Sequence, residues 1–438
     1  MSYRPHFHVS PLAGRLNDPN GMFVDGADLH LYYQHDPGYP HAPKRTGWAH
    51  TVVSLTRPER PRHFPNVLYP DHPYDAHGCY SGGAVRDGDD LWLFYTGNLK
   101  VDGRRIPSQN RVRVTDLGPE GGFYELDPNN PVIPDTEPGF TGHFRDPQIV
   151  READGRWRMV LGAQREDETG ALVMYRSTDL AHWDFEGEVT FVGDVPDAYM
   201  WECPNLLELS DAATGATSHV LVLCPQFPGR DECGYIVGHL EGTTFTVTEG
   251  YRILDHGHNF YAPQLIAYDE GAVLVGWMGM PARDATPTVE AEGWVHTLTV
   301  PRQVTLRDGA LYQEPMWDIP GSFTTREPGT YELTAAGEVC LRVDWDGAQL
   351  TVARPRFAGD AVEPGTAALS VTPEEAASAG AAVVPGEWDT RTAECGAGEL
   401  VLSADGCAVE IFGGDGQAAF AVPVFAPGGA VWDGWRRV

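Results

Sequence analysis

The sequence predicts an all-β protein in which a five-bladed β-propeller, residues 1–320, is followed by a C-terminal β-sandwich, residues 321–438. Three observations carry this prediction. A pair of short apolar strands recurs five times in roughly the first three hundred residues, and the pattern changes after Gly321. The chain also contains 50 glycines and 35 prolines, a composition that favours turns and short strands over long helices.

Each of the five copies begins with a polar segment containing proline or glycine, continues as a short apolar strand, and turns into a second strand. Short strands between turn signals are typical of all-β structure, and self-similarity at such a spacing is typical of propeller blades. Unrelated hairpins in a sandwich are the alternative, which the regular recurrence disfavours. The polar openings with their first strands occupy residues 17–24, 79–85, 144–150, 201–207 and 260–266.

The part after Gly321 predicts a β-sandwich, because short apolar strands alternate there with turns of Gly, Pro and Asp. Residues 373–380 predict a loop or one short helical turn. No acidic constellation suited to catalysis occurs in this part, so we expect it to pack against the propeller, with an oligomer as an open possibility. The predicted strands lie at residues 339–343, 350–353, 400–402, 409–412 and 420–422.

The charge of the chain disfavours two classes of partner. The formal net charge is −31, which repels nucleic acid phosphates and anionic membranes, so we expect no nucleic acid and no membrane partner. No apolar run approaches a membrane-spanning length, and the start of the chain lacks the pattern of a signal peptide. These features predict a cytoplasmic protein.

The cysteines indicate neither disulfides nor zinc. Seven cysteines, an odd and scattered count, do not form a disulfide framework. Cys79, Cys203, Cys224 and Cys233 lack the spacing of zinc ligands, so we predict no metal and no cofactor.

Three carboxylates stand at equivalent points of the repeating pattern. In a propeller the first strand of every blade lines the central channel, so Asp18, Asp146 and Glu202 should converge at one mouth. Mutual repulsion and partial burial should raise at least one carboxyl pKa. A protonated carboxyl group beside an ionised one meets the needs of glycosidic bond cleavage. The same openings contribute Tyr80, Ser81, Arg145 and Tyr261.

Local surroundings suggest a role for each acid. Asp18 lies on a Pro/Gly bend between Asn17 and Asn20, whose amides favour its charged form, and is the candidate nucleophile. Glu202 has apolar sequence neighbours that favour its protonated form, so it is the candidate acid/base. Asp146 follows Arg145, whose charge should keep it ionised for binding sugar hydroxyls. A three-carboxylate calcium or magnesium site is the rival, disfavoured by the flanking aromatic residues and the absence of a calcium-loop pattern.

These segments resemble the three signature motifs of glycoside hydrolase family 32, the family of invertases, β-fructofuranosidases, sucrose-6-phosphate hydrolases, levanases and inulinases. The resemblance covers nearly the whole chain. One departure is that Arg15 and Leu16 stand where the family usually has Trp-Met. The three motifs are Asn17-Asp18-Pro19-Asn20-Gly21, Phe144-Arg145-Asp146-Pro147 and Trp201-Glu202-Cys203-Pro204.

The resemblance implies a five-bladed propeller with a β-sandwich, and a retaining hydrolase that releases terminal β-fructofuranosyl units from sucrose or short fructo-oligosaccharides. It implies Asp18 as nucleophile, Glu202 as acid/base and Asp146 as transition-state stabiliser, and hence a small-molecule carbohydrate as partner. The implied substrate-binding residues are Asn17, Gln34, Trp48, Tyr80, Ser81, Arg145, Tyr261 and Trp277.

Other functions are compatible with the same predicted fold. They are a fructosyltransferase, a sucrose-6-phosphate hydrolase, an arabinosidase of a related five-bladed family, and a non-catalytic fructoside-binding protein. A phosphorylated substrate would need an arginine cluster at the pocket rim, for which the sequence offers Arg104, Arg105, Arg111 and Arg113.

Overall fold

The computed structural model describes residues 2–118, 120–281, 283–357 and 383–438. The predicted loop at 373–380 lies outside these residues. Apart from a six-residue helix and a short 3₁₀ turn, the regular structure of the described residues is β. No helix in these ranges is long and apolar enough to cross a membrane.

Each of the first three sheets contains a four-stranded antiparallel meander, and these follow one another along the chain. The first contains β1 (Gly14–Asp25), β2 (Asp28–Asp36), β3 (Gly47–Ser54) and β4 (Arg62–Leu68). The second contains β5 (Ala84–Asp87), β6 (Asp90–Val101), β7 (Arg104–Thr115) and β8 (Phe123–Leu126). The third contains β9 (Phe140–Arg151), β10 (Trp157–Arg165), β11 (Gly170–Ser177) and β12 (Asp184–Glu188).

The fourth sheet contains β13 (Thr190–Val192), β14 (Met200–Ser210), β15 (Thr217–Phe227), β16 (Arg230–Asp231), β17 (Gly234–Glu241) and β18 (Thr244–Ile253). Next come β19 (Tyr261–Tyr268), β20 (Gly271–Met278), α1 (Pro287–Glu292), β21 (Trp294–Val295), β22 (Thr297–Leu298), β23 (Arg302–Arg307) and β24 (Ala310–Pro315). β19, β20, β22, β23 and β24 form the fifth sheet, whereas β21 pairs in parallel with β1 and so ties this region back to the first sheet.

The last two sheets pack face to face. They are built from β25 (Phe323–Thr325), β26 (Gly329–Ala335), β27 (Glu338–Trp345), β28 (Gln349–Phe357), β29 (Val383–Glu394), β30 (Leu400–Asp405), β31 (Ala408–Gly413), β32 (Ala418–Pro423) and β33 (Trp432–Arg437). β25, β30, β31 and β32 form one sheet, and the other five strands form the second. Leu333 and Leu341 of one sheet share a single apolar core with Leu402 and Ile411 of the other, which is the arrangement of a β-sandwich.

The burial of each strand follows its position in the sheet. In β10, at the middle of the third sheet, eight consecutive residues from Trp157 to Gln164 are buried. In β18, towards the outside of the fourth sheet, exposed and partly buried residues alternate, as in a strand with one face to solvent. The short helix α1 begins with Pro287 and ends at Gly293, whose φ of 72° is a left-handed conformation that suits glycine.

A ring of side-chain amides connects the first five sheets. Each amide oxygen accepts a hydrogen bond from a backbone N–H of the next sheet. The pairs are Asn20 with Gly82, Gln148 with Leu206, Asn205 with Leu265, and Gln264 with Met22 of the first sheet. Between the second and third sheets the acceptor is the hydroxyl of Thr96, which receives the N–H of Asp146. The fifth sheet is thereby joined to the first, and a cavity is lined by a segment from each of the five first strands.

A buried charge network joins residues of the N-terminal part, which carries the first five sheets, to the sandwich. The imidazole of His8 lies between two carboxylates of the C-terminal part, 2.9 Å from Asp405 Oδ2 and 3.0 Å from Glu410 Oε1. The guanidinium of Arg302 binds Glu410 at 2.6 Å and Asp255 at 2.8 Å. Burying charge is costly unless every partner is hydrogen-bonded, so this network fixes how the two parts dock.

Candidate active site

Asp18 lies in the interior of β1, where the pairing with β2 shifts register between Leu16 and Pro19. Its Oδ1 accepts a hydrogen bond from Asn17 Nδ2 at 2.9 Å, and its Oδ2 accepts one from the hydroxyl of Ser81. Burial raises the pKa of Asp18; these two hydrogen bonds lower it, and the charge of Glu202 raises it again. The pKa remains above its usual value, because burial outweighs the hydrogen bonds.

The role expected for Asn20 is wrong. Its amide nitrogen donates to the backbone oxygen of Asp18 at 2.9 Å, not to the carboxylate, and its amide oxygen takes part in the ring of amides. Asn20 therefore fixes the bend that carries Asp18, while Asn17 alone of the two asparagines hydrogen-bonds the carboxylate.

Asp146 is buried on β9 and bound from several sides. Its Oδ2 accepts a hydrogen bond from the backbone N–H of Cys203 at 3.0 Å and lies 3.8 Å from the guanidinium of Arg145. Burial raises the pKa of Asp146 to about 7, although the charge of Arg145 lowers it; the charge of Glu202 adds to the rise. The charge of Arg145 therefore favours ionisation of Asp146, as expected, but offsets only part of the effect of burial.

Glu202, on β14, makes the closer ion pair with Arg145. Its Oε1 accepts hydrogen bonds from Arg145 Nη2 at 2.5 Å and Nε at 3.1 Å, and its Oε2 accepts one from the hydroxyl of Tyr261 at 2.7 Å. The apolar surroundings expected from its sequence neighbours are thus absent at the carboxylate. The side chain is 17% exposed, so the acid remains reachable from solvent.

A repeated backbone distortion positions these side chains. In three of the five repeated openings the residue before proline has a positive φ: 67° at Asp146, 48° at Cys203 and 46° at Ala262. Left-handed backbone is uncommon for residues other than glycine, and β-bulges often redirect side chains near active sites. The strand pairing shifts register at each of these positions, as it does at Asp18.

The predicted substrate-binding residues occupy two settings. Gln34 and Ser81 lie beside the nucleophile candidate: Gln34 accepts from Asn17 and donates to the Ser81 hydroxyl at 3.1 Å. Trp48 is fully buried, and its indole N–H donates to the backbone oxygen of Tyr80 at 3.1 Å. Trp48 therefore holds the backbone of Tyr80 in place.

Trp277 is almost fully buried beside the pocket. Its ring meets Tyr261 edge-on, with centroids 6.4 Å apart, and the guanidinium of Arg15 lies 5.2 Å from its ring centroid. Arg15 therefore covers one face of Trp277, a residue that the family resemblance implies for substrate binding.

Two contacts at the acids have no counterpart in the sequence analysis. The thiol of Cys203 lies 3.7 Å from Asp146 Oδ2 and 4.0 Å from Asp18 Oδ2, between the two carboxylates. Thr96, from the second sheet, holds the N–H of Asp146 at 3.0 Å. Cys203 was within reach of sequence reasoning because it lies in the third motif, whereas Thr96 carries no local signal.

The site is made of carboxylates, amides, a thiol and aromatic rings. Within the described ranges, no group of three or more His, Cys, Asp or Glu side chains is arranged to hold a metal ion. Two carboxyl groups with raised pKa, next to a third that is paired with arginine, form an arrangement suited to acid–base and nucleophilic chemistry on a sugar.

Comparison with known families identifies the group to which this site belongs. Residues 8–315, which include all three acids, match the model of the glycosyl hydrolases family 32 N-terminal domain. The chain belongs to glycoside hydrolase family 32. It is therefore a glycoside hydrolase by family.

The proteins that this chain resembles are named as hydrolases. The chain is 35% identical over 388 residues to the sucrose-6-phosphate hydrolase of Klebsiella pneumoniae, covering 80% of this chain and 79% of that protein. Among solved structures it is similar to a β-fructofuranosidase of Bombyx mori in complex with sucrose, with a TM-score of 0.76, 26% identity, and coverage of 98% of this chain and 90% of that one. The sucrose-6-phosphate hydrolase of Lactobacillus gasseri gives a TM-score of 0.75 at 27% identity over 99% and 91% of the chains.

Proposed function

We propose that the five sheets of residues 14–315 are the blades of one propeller and that the division from the sandwich falls near residue 320. The ring of amide hydrogen bonds supports this arrangement, since it runs from the first sheet through each of the others and returns to the first. The cavity lined by all five first strands is the expected central channel.

We propose that the protein hydrolyses β-fructofuranosides with retention of configuration, releasing a terminal fructose from sucrose or short fructo-oligosaccharides. One observation carries this: Asp18, Asp146 and Glu202, from three different sheets, form one connected cluster. Cys203 touches the first two acids, and Arg145 touches the last two.

In this mechanism the carboxylate of Asp18 attacks the anomeric C2 of the fructosyl unit. The bond from C2 to the leaving oxygen breaks, and Glu202 gives its proton to that oxygen. Glu202 then takes a proton from water, whose oxygen attacks C2 and displaces Asp18. Asp146 binds sugar hydroxyls and stabilises the positive charge that develops at the ring.

The substrate assignment is supported by the relatives, which are named for sucrose-6-phosphate and β-fructofuranoside hydrolysis. Asn17, Gln34, Ser81 and Arg145, which carry hydrogen-bonding groups at the acids, would bind the fructosyl unit. We also propose a cytoplasmic location and no cofactor, with a small carbohydrate as the partner.

The reaction is tested with Asp18→Ala and Glu202→Ala on sucrose. We expect both variants to lose turnover by a factor of about 10² or more, and NMR of the wild-type reaction to detect β-fructofuranose as the first product. Asp154→Ala, which removes an exposed carboxylate, is the matched control. Near-wild-type turnover in either active-site variant, or an inverted first product, would contradict the proposal.

A phosphorylated substrate is a second candidate, favoured by the position of Arg105. The arginine cluster expected at the rim does not form. Three of its members are paired with carboxylates: Arg104 with Asp135 at 3.0 Å, Arg111 with Asp127 at 2.5 Å, and Arg113 with Asp90 at 2.5 Å.

Arg105, in contrast, makes no ion pair with a described residue and lies 5.8 Å from the ring centroid of Tyr80. Burial and the charge of Arg145 lower the pKa of its guanidinium, and Tyr80, Glu202 and Asp146 offset only part of this, so a bound phosphate would add a further stabilising counter-charge. Arg105→Gln should reduce kcat/KM for sucrose 6-phosphate by about tenfold or more while changing that for sucrose little. Arg104→Gln is the control. Equal effects of Arg105→Gln on both substrates would rule out phosphate recognition by this residue.

A further inference from the structure

Arg15 connects the nucleophile candidate to a distant part of the chain. Its Nε lies 3.0 Å from Asp284 Oδ1 and 2.9 Å from Oδ2, and its Nη1 donates to Asn17 Oδ1 at 2.7 Å. The guanidinium also stacks on Trp277, 5.2 Å from the ring centroid. The side chain is only 13% exposed, so these contacts hold it in one position.

These contacts determine which way the Asn17 amide points. A guanidinium can only donate hydrogen bonds, and an ionised carboxylate can only accept them. With Arg15 donating to its oxygen, Asn17 presents its NH₂ group to Asp18 Oδ1 at 2.9 Å and to the side-chain oxygen of Gln34. The flipped amide would place its NH₂ against the guanidinium and its oxygen against the carboxylate, and both contacts would be repulsive.

Asp284 anchors Arg15. Besides the contact with Arg15, its Oδ1 accepts a hydrogen bond from His296 Nε2 at 2.7 Å. Burial acts to raise the pKa of Asp284, but the charge of Arg15 and the hydrogen bond from His296 hold it well below its usual range. Asp284 is thus a partner whose charged form is favoured, 269 positions from Arg15 in sequence.

We propose that Arg15 is a positioning residue for the reaction: anchored by Asp284, it locks the Asn17 amide with its NH₂ group towards Asp18, which keeps the nucleophile aimed and ionised. This inference rests on the proposed role of Asp18. It requires no contact between Arg15 and the substrate.

Several other groups face Asp18 and also influence its ionisation. Glu202 opposes ionisation of Asp18, and Asp18 in turn opposes ionisation of Asp146. The Cys203 thiol lies 4.0 Å from Asp18 Oδ2. The charge of Lys44 also interacts with Asp18. Burial and Glu202 both favour the neutral form, and the hydrogen bonds from Ser81 and Asn17 favour the carboxylate.

The test is the pH profile of kcat/KM for sucrose in Arg15→Met and Asp284→Asn. In Arg15→Met the Asn17 oxygen loses its donor and the amide is held only by Asp18 and Gln34. We therefore expect kcat/KM to fall by a factor of about 10–100 and the acidic limb of the profile to move up by about one pH unit. Asp284→Asn should also lower kcat/KM and move the acidic limb to higher pH, in each case by less than Arg15→Met does. Arg156→Met is the matched control, because Arg156 makes the same Nε-to-carboxylate contact, at 2.8 Å to Asp154, on the surface.

The double variant decides whether the two residues act as a unit. Arg15→Met/Asp284→Asn should be no worse than Arg15→Met alone, since Asp284 acts only through Arg15. Additive losses, or an unchanged acidic limb in Arg15→Met, would overturn the inference. If Arg15→Met does not fold, Asp284→Asn carries the test through its own pH profile.

Failure of this inference is distinguishable from failure of the proposed function. Near-wild-type turnover in Asp18→Ala would show that Asp18 is not the nucleophile. An inactive Asp18→Ala together with a wild-type-like Arg15→Met would remove only the role of Arg15.

Discussion

Replacing His8 by glutamine should destabilise the protein at about pH 6 and have little effect at about pH 9.5. His8 is fully buried, with Nδ1 2.9 Å from Asp405 Oδ2 and Nε2 3.0 Å from Glu410 Oε1. A neutral imidazole donates from one nitrogen only, whereas two carboxylates both require a donor, so the folded protein favours the charged ring. Burial alone would lower the pKa of His8, but the hydrogen bonds from His8 to Asp405 and Glu410 raise it to about 9.

The magnitude follows from the difference between the folded and unfolded states. The pKa of His8 is about 9 in the folded protein and 6.5 in the reference state, so protonation of His8 contributes about 3 kcal/mol to the free energy of unfolding. Because the folded pKa is the higher one, this stabilisation is fully present below about pH 6.5 and is lost as the pH rises through about 9.

The assay is denaturant or thermal unfolding of the wild type and His8→Gln at both pH values, with the difference between the proteins as the quantity compared. Changes in other titrating groups cancel in this difference. His182→Gln is the control, because His182 is an exposed residue, 2.8 Å from Asp179, whose surface ion pair contributes little. An equal destabilisation by His8→Gln at both pH values would refute the reasoning, since it would mean that His8 is not charged in the folded protein.

Three further changes test the site and the core. Tyr261→Phe removes the 2.7 Å hydrogen bond to Glu202 Oε2, and we expect kcat on sucrose to fall about tenfold in initial-rate assays; an unchanged kcat would mean that this hydrogen bond does not assist the reaction. Arg302→Met leaves the buried Asp255 without its cation and Glu410 with His8 alone, and should lower the free energy of unfolding by about 3–5 kcal/mol in denaturant titrations, a loss that a purely surface role would not produce. Gly82→Ala should prevent soluble expression or lower Tm sharply, because an added Cβ would lie 1.9 Å from the backbone oxygen of Phe94; a wild-type Tm would contradict this packing.

Much of the fold was predictable because its signals are local. Each of the five repeated openings carries its own proline or glycine, apolar strand and turn, and these strands lie at β1, β5, β9, β14 and β19 or directly before them. The short strands of the C-terminal part could also be predicted, from alternating apolar residues and turns. The prediction of all-β structure is confirmed, whereas the number of blades stays a prediction.

The environment of the acids was predicted less well. Sequence neighbours suggested that Arg145 would serve Asp146 and that apolar residues would surround Glu202, yet Arg145 reaches across to Glu202. The two residues are 57 positions apart, and their contact depends on how adjacent sheets pack. The pKa of Asp146 follows burial more than its neighbour in sequence, and burial is a property of the folded chain.

The candidate acids and their equivalent places in a repeating β pattern could be identified from the chain alone, because both features lie within short segments. What each acid touches depends on the folded arrangement. The anchoring of Arg15 by Asp284, the thiol of Cys203 between two carboxylates and the charged pair of His8 all join residues that are far apart in the chain. Such contacts leave no periodic or compositional trace, since they arise when separate strands are brought to the same channel and their side chains are removed from water.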